Sequence, residues 1–284
     1  MNKIRKVMRG LRHTQKIVTL VFLVLFISHY HLSSALADAG RKKELAQEVT
    51  NPISSVTMVP FQFDYLVDIG PEDEGESFTI NMQPLVTFSL SEEWNLISRT
   101  VIPLVTQKDV LPGSGTDTGL GDTLQSFFLS PEKPTESGWL WGVGPAALLP
   151  TGTDSNLTTD KFGLGPTAVA LKVEGPWTYG LLANHIWSVA GDSSREDVNL
   201  SFAQPFIDYA TDDGIVFEIT SESEYNWRTD EWSIPIVASV NKLIEVVGQA
   251  MYVGVGPRYW AESTDSDPEG WGVNLQVILL FPDK

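Results

Sequence analysis

The sequence predicts an all-β fold: a single up-and-down antiparallel transmembrane β-barrel of about twelve strands, with a short N-terminal helix or tail. Three observations predict it. Segments of about ten residues alternate apolar and polar side chains with period two, the length a tilted strand needs to cross a hydrocarbon layer. The gaps between them are mostly long and short in turn. The tryptophans gather near the segment ends.

The first 37 residues read as an export signal. Lys3, Arg5, Lys6, Arg9, Arg12 and Lys16 form a basic region, and Ile17 to Ile27 is an unbroken apolar run. Ala35-Leu36-Ala37 offers a small-x-small cleavage pattern, so the mature chain is expected to begin at Asp38. An uncleaved N-terminal anchor is the competing reading. The whole chain has a net charge of −17. Residues 1–37 hold six of the 19 basic residues and none of the 36 acidic ones, so the mature chain has 13 basic against 36 acidic residues, a net −23. Such a surface repels nucleic acid, and no nucleic-acid partner is expected. Cysteine is absent, which excludes disulfides and thiolate metal sites.

Residues 38–51 (DAGRKKELAQEVTN) contain good helix formers before Pro52. They predict a helix that is either a solvated periplasmic tail, the reading chain ends favour, or a segment tucked into the barrel mouth. Residues 52–284 are expected to form the barrel, with no linker inside it.

The first strand sets the pattern. Val59, Phe61, Phe63, Tyr65, Val67 and Ile69 alternate with Pro60, Gln62, Leu66 and the acids Asp64 and Asp68. In the second, Val86 and Phe88 oppose Gln83 and Thr87. In the ninth, Phe217, Ile219, Tyr225 and Trp227 oppose Glu218, Thr220, Glu222 and Glu224. In the last, Val273, Leu275, Val277 and Leu279 oppose Asn274 and Gln276. Lipid is expected on the apolar face and a lumen on the other. Residues 95–107 and 163–174 are apolar on both faces, and Gly142, Gly144 and Ala146 are expected inside, so the interior should be partly filled.

Long gaps follow residues 69, 107, 152, 190 and 262, and tight ones follow 90, 174 and 210. The gap after 130 is intermediate. So is the one after 242, expected around Ile244–Gly248; the ninth, TDEW, is shorter than the alternation predicts. Long outer loops and short inner turns belong to a barrel with both termini in the periplasm. Trp94, Trp139, Trp141 and Trp177 fall at the short-turn side. Trp187, Trp227, Trp232, Trp260 and Trp271 fall at the long-loop side, as two interfacial girdles require. Prolines inside strands are the exception to strand chemistry. Three of them close GxGP motifs at 142–145, 163–166 and 254–257, which suggests built-in bends or bulges.

The runs NPISSVTMVPFQFDY, INMQPLVTFSLSEEWNLISRTVIPLV, WGVGPAALLPTGTD and LGPTAVALKVEGPWTYGLLANHIWSVAGD, with the terminal LQVILLFP, resemble a Gram-negative outer-membrane β-barrel family often labelled "neuromedin U". The chain is similar over nearly its whole mature length to transporter barrels associated with meta-cleavage phenol degradation. The resemblance implies an outer-membrane barrel with a transport role, and brings no catalytic or ligand residues. Many such barrels finish on an aromatic residue, whereas here Pro282, Asp283 and Lys284 follow Phe281.

The expected function is passage of a small solute across the cell outer membrane by a channel or transporter. A closed structural or sensory barrel is the alternative, and a soluble periplasmic β-protein comes third. The expected partners are outer-membrane lipid, the solute and, during biogenesis, the barrel assembly machinery. Expected lumen-lining residues are Gln62, Asp64, Asp68, Gln83, Glu218, Glu222, Glu224, Arg258 and Gln276. Their acids either set solute selectivity or form an internal ion-pair network with Arg258 and Arg99, whose strand shows no clear parity. No enzyme, cofactor or metal site is expected. His185 is the one histidine beyond the signal, and Asn184 and Ser188 point to the other face by parity, although a serine from a neighbouring strand could reach it. Loop acids Glu72, Asp73, Glu74, Glu76, Asp265, Asp267 and Glu269 read as a solvated surface rather than a cation site.

Overall fold

The computed structural model describes residues 39–70, 74–110, 113, 115–264 and 268–281. The expected signal segment and cleavage point lie outside them. One helix, α1 (Ala39–Val49), precedes the strands. The strand segments are β1 (Thr57–Ile69), β2 (Gly75–Met82), β3 (Leu85–Ser89), β4 (Trp94–Lys108) and β5 (Thr116–Leu120). Next come β6 (Thr123–Pro131), β7 (Trp139–Leu149), β8 (Lys161–Glu174), β9 (Trp177–Gly191) and β10 (Asn199–Ala210). The last are β11 (Ile215–Ser221), β12 (Ser223–Asn226), β13 (Glu231–Val246), β14 (Gln249–Glu262) and β15 (Trp271–Phe281).

These segments make a closed antiparallel barrel of 12 strands, because three strands are each broken once. β2 and β3 both pair with β1 and β4 across a break at Gln83–Pro84. β5 and β6 both pair with β4 across Gly121–Asp122. β11 and β12 both pair with β10 and β13 across Glu222. β15 pairs with β1 from Thr57↔Phe281 to Tyr65↔Val273 and closes the ring, leaving no free edge to hydrogen-bond elsewhere. None of the described helices is long and apolar enough to cross a membrane; a barrel crosses with strands.

The prolines have a local account. At each GxGP motif the pairing with one neighbour skips the motif while the other neighbour stays in register. Ladder partners jump from Ser126↔Ala146 to Leu129↔Val143, from Leu164↔Trp187 to Thr167↔Asn184, and from Val237↔Arg258 to Val240↔Val255. Proline has no N–H to give on that side. The glycine before it lets the neighbouring strand close in: a Cβ at Gly144, Gly165 or Gly256 would overlap the carbonyl oxygen of Phe127, His185 or Ala238.

The outer face carries exposed apolar side chains, among them Tyr65, Val143, Leu181, Ile219, Val255 and Leu275. Eight of the nine tryptophans are at least partly exposed near strand ends, and some stack edge-to-face or tilted on tyrosines, as in Trp177–Tyr209 and Tyr259–Trp271. Trp260 differs. Its position on β14 shares parity with Arg258, it is buried, and it lies under that guanidinium at 5.4 Å.

The interior has two chemistries. Its short-turn half is a buried apolar core that includes Phe128, Leu171, Tyr252 and Leu280, and α1 contributes Leu45 and Ala46 to it. The favoured expectation of a solvated tail is therefore corrected: the helix closes the barrel mouth. Gln47 Nε2 donates to Gly175 O at 2.6 Å and Lys43 pairs with Asp212 at 2.7 Å, both partners lying in short turns. The chain then passes to β1 through a pinned linker, where Ser54 Oγ donates to Glu48 at 2.5 Å and Thr87 Oγ1 donates to Ser54 O at 2.6 Å. Gly142 leaves room for Ile53 of this linker. A second correction concerns the end of β13. It runs to Val246, and its turn is the residue pair Val247-Gly248, both with positive φ (52° and 79°), as a tight type I′ hairpin demands.

Candidate functional site: a charged partition in the lumen

Above the apolar half, polar side chains from six of the barrel's strands meet across the lumen. Arg258 of β14 is the centre. Its guanidinium lies 3.1 Å from Asp64 of β1 and also bonds Glu222. Asn274 of β15 donates to Asp64 at 2.8 Å. Gln62 Nε2 reaches Asp64 at 3.0 Å and Glu222 at 3.4 Å. Gln83 Nε2 donates to Gln62 Oε1 at 3.2 Å, and Arg99 of β4 donates to Gln83 Oε1 at 2.6 Å. Two strand breaks supply this layer. Pro84 ends the β2 ladder beside Gln83, whose N–H is taken by Pro60 O at 2.8 Å, and the β11–β12 break falls on Glu222 itself.

The layer divides two cavities. Toward α1 lies one of about 150 Å³, lined by Asn51, Met58, Asp208, Glu218 and Gln276 among others. Glu218 is held there by Ser239 at 2.9 Å, Gln276 at 3.0 Å and Asn241 at 3.3 Å, and Asp208 stands opposite it in register. Toward the long loops lies a cavity of about 420 Å³. Leu124, Leu148, Ile186, Leu200 and Phe202 line one arc of it, from β6 round to β10. Glu222, Glu224, Arg258, Asn81, Gln83 and Arg99 line the other, from the β11–β12 strand round through β14 to β4. Gln83, Arg99 and Glu222 line both cavities.

The structure thus brings Gln62, Asp64, Gln83, Glu222 and Arg258 together in one network. It places Glu218 and Gln276 below them and Glu224 above. Asp68 is the exception: β1 bulges between Val67 and Ile69, Asp68 takes a φ of 56°, and its side chain is exposed and lines neither cavity. Sequence parity named Arg99 only as a possible partner of uncertain facing, and missed Asp208, Ser239 and Asn241. The alternation of Ser239 and Asn241 with Val240 was a usable signal; that of Arg99, between apolar neighbours on both faces, was not.

His185 accepts the neighbouring-strand contact foreseen for it. Its Nδ1 lies 2.7 Å from Ser201 Oγ, and Trp227 Nε1 donates to the same oxygen at 2.8 Å. Indole can only donate, so Ser201 Oγ accepts from Trp227, and the imidazole tautomer sets which way the His185–Ser201 bond runs. No acid or amide among the described residues bonds His185 Nε2, which leaves the pair without the third group that orients a catalytic base. Asn184 faces the larger cavity, and Ser188 bonds Asp197 instead. Of the loop acids, Glu72, Asp73, Asp265 and Asp267 lie outside the described residues. Among the described residues no cluster of acids or histidine has metal-site geometry.

No protein-family profile and no curated protein matches the chain. Solved structures do. An outer membrane channel from Pseudomonas putida F1 superposes with a TM-score of 0.63 at 16% identity, over 80% of this chain and 96% of that one. The fold is that of an outer-membrane β-barrel. Outer membrane phospholipase A from Escherichia coli follows at a TM-score of 0.46 and 10% identity, over 80% of this chain and 96% of that one. The beta domain of the Bordetella autotransporter Brka follows at 0.42 and 10%, over 80% and 100%. Neither of these two likenesses is close enough to inform the chemistry of this barrel.

Proposed function

We propose that this protein is an outer-membrane barrel that admits a small solute from the long-loop side and passes it by passive diffusion, with no catalytic step. The observation that carries this is the cavity of about 420 Å³ inside a ring whose outer face is apolar and aromatic-edged. A cavity of this size, apolar on one side and with a few polar and charged groups on the other, is typical of ligand sites. The likeness to an outer membrane channel and the resemblance to barrels associated with phenol degradation support the same reading. On this reading the export signal is removed, the assembly machinery inserts the strands, and lipid covers the outer face.

A second reading has its own observation. The partition around Arg258 and the plug by α1 leave the short-turn half filled, as in a closed structural barrel. Planar-bilayer conductance and liposome swelling separate the two, run on the mature protein and on a form lacking residues 38–51. Conductance or sugar-driven swelling in either form supports passage. Silence in both, with heat-modifiable migration showing a folded barrel, supports the closed reading.

A further inference from the structure

The larger cavity has a two-sided lining, and among the described residues one of its two guanidiniums, that of Arg99, has no carboxylate in ion-pair contact. Arg258 is matched: Asp64 and Glu222 both contact it. Arg99 is not. Its guanidinium has five N–H donors, and its hydrogen-bond partner is the neutral amide of Gln83. No carboxylate of the described residues stands within ion-pair distance of it: Glu222, whose charge also acts on Arg99 from further away, and Asp64 both make their direct contacts with Arg258. Arg99 lines the floor of the cavity, where partial desolvation strengthens its field. The facing arc of Leu124, Leu148, Ile186, Leu200 and Phe202 carries Asn184 as its one polar side chain among the described lining residues and offers an apolar surface to an alkyl or ring body.

We propose that this cavity binds a small amphipathic monocarboxylate, its carboxylate forked on Arg99 and its apolar body against the β6–β10 arc. The proposal rests on the solute-admitting reading above and names the solute class. A guanidinium matches a carboxylate through two parallel hydrogen bonds, which a neutral hydroxyl cannot supply. Glu222 and Glu224 border the same space, one on the floor and one two residues further along the strand. A second carboxylate would lie against the apolar side chains of the facing arc with its hydration lost, so dianions are excluded and one carboxylate is accepted. The competing occupant is an organic cation drawn to those same acids.

The test is equilibrium binding to the folded mature protein in nanodiscs, read by the part of the tryptophan fluorescence change that Trp260→Phe removes, since the Trp260 ring lines the cavity. The probes are hexanoate, hexylammonium, adipate and acetate. Hexanoate is expected to bind at least tenfold more tightly than each of the others. Arg99→Gln should lose at least tenfold for hexanoate, with Arg99→Lys in between. Phe202→Gln should weaken hexanoate and leave acetate unchanged, which a simple folding defect would not do. Heat-modifiable migration confirms that each variant is a folded barrel. Tighter binding of hexylammonium, or unchanged hexanoate affinity in Arg99→Gln, overturns the proposal. Because binding needs no passage, hexanoate binding without swelling overturns the transport reading alone, and swelling without hexanoate binding overturns this one alone.

Discussion

Arg258 stands 3.1 Å from Asp64, tying β14 to β1 over the top of β15, and the same guanidinium holds Glu222 at the break between β11 and β12. All three are largely withdrawn from solvent, so the pair terms and the desolvation penalties are both large. Removing one partner strands the others. Arg258→Met is expected to cost about 3–5 kcal/mol in urea unfolding from vesicles. The triple change Arg258→Met, Asp64→Asn, Glu222→Gln should recover most of it, because no uncompensated charge is left. A triple variant no more stable than the single one would show that the network does not act as a unit.

The outward parity of β15 gives a sharp contrast. Leu275 is 47% exposed on the outer face, and Gln276 beside it faces Glu218 in the lumen. Leu275→Arg is expected to cost about 2–4 kcal/mol if it meets the middle of the hydrocarbon layer. Gln276→Arg should be much milder, since it gains a carboxylate neighbour. Equal damage from both would contradict a lipid-facing outer surface.

The plug is held by few groups. Among the described side chains of α1, Leu45 and Ala46 are buried and Val49 packs against the core, while the Lys43–Asp212 pair is exposed and adds little. Burying one leucine is worth roughly 1.5–3 kcal/mol. Leu45→Asp should therefore free the helix without unfolding the barrel. Limited proteolysis should then cut within residues 39–51, while heat-modifiable migration stays intact. A variant as protease-resistant as the parent would show that other contacts hold the plug.

Gly165 is forced by its neighbour rather than by its own dihedrals. A Cβ there would overlap His185 O, as it would overlap Phe127 O at Gly144. Gly165→Ala and Gly144→Ala should each cost about 1–3 kcal/mol as the strands are pushed apart. At Gly142, where the nearest atom to a Cβ is a side-chain carbon of Phe128 at 3.1 Å, alanine should cost less. Thermal denaturation in detergent ranks the three.

Val247 holds a positive φ of 52°, which a β-branched residue adopts at a cost of about 1–2 kcal/mol. Asparagine takes the same conformation readily in a type I′ turn. Val247→Asn should raise the barrel's midpoint denaturant concentration without altering conductance. A lowered midpoint would mean that the valine makes a compensating contact.

Strand existence, number and facing were legible because each side chain of a barrel wall answers to one local question, lipid or lumen, and a period of two records the answer. That is why residues as separate as Asp64, Glu222 and Gln276 could be assigned to the lumen from alternation alone. Girdle tryptophans were legible for the same reason, except Trp260, whose parity places it inside with Arg258. Three things were not written locally. The bulge at Asp68 shifts parity by one residue and turns its carboxylate out of the lumen. The fate of α1 depends on a matching apolar hollow assembled from seven or more distant strands, and its own short sequence is compatible with water or with that hollow. The division of the acids into a matched set around Arg258 and a separate one around Glu218, with Arg99 left to a neutral amide, exists only across the closed ring. Alternation records which side a residue faces; the distance across the lumen, set by ring closure between β1 and β15, decides whom it meets.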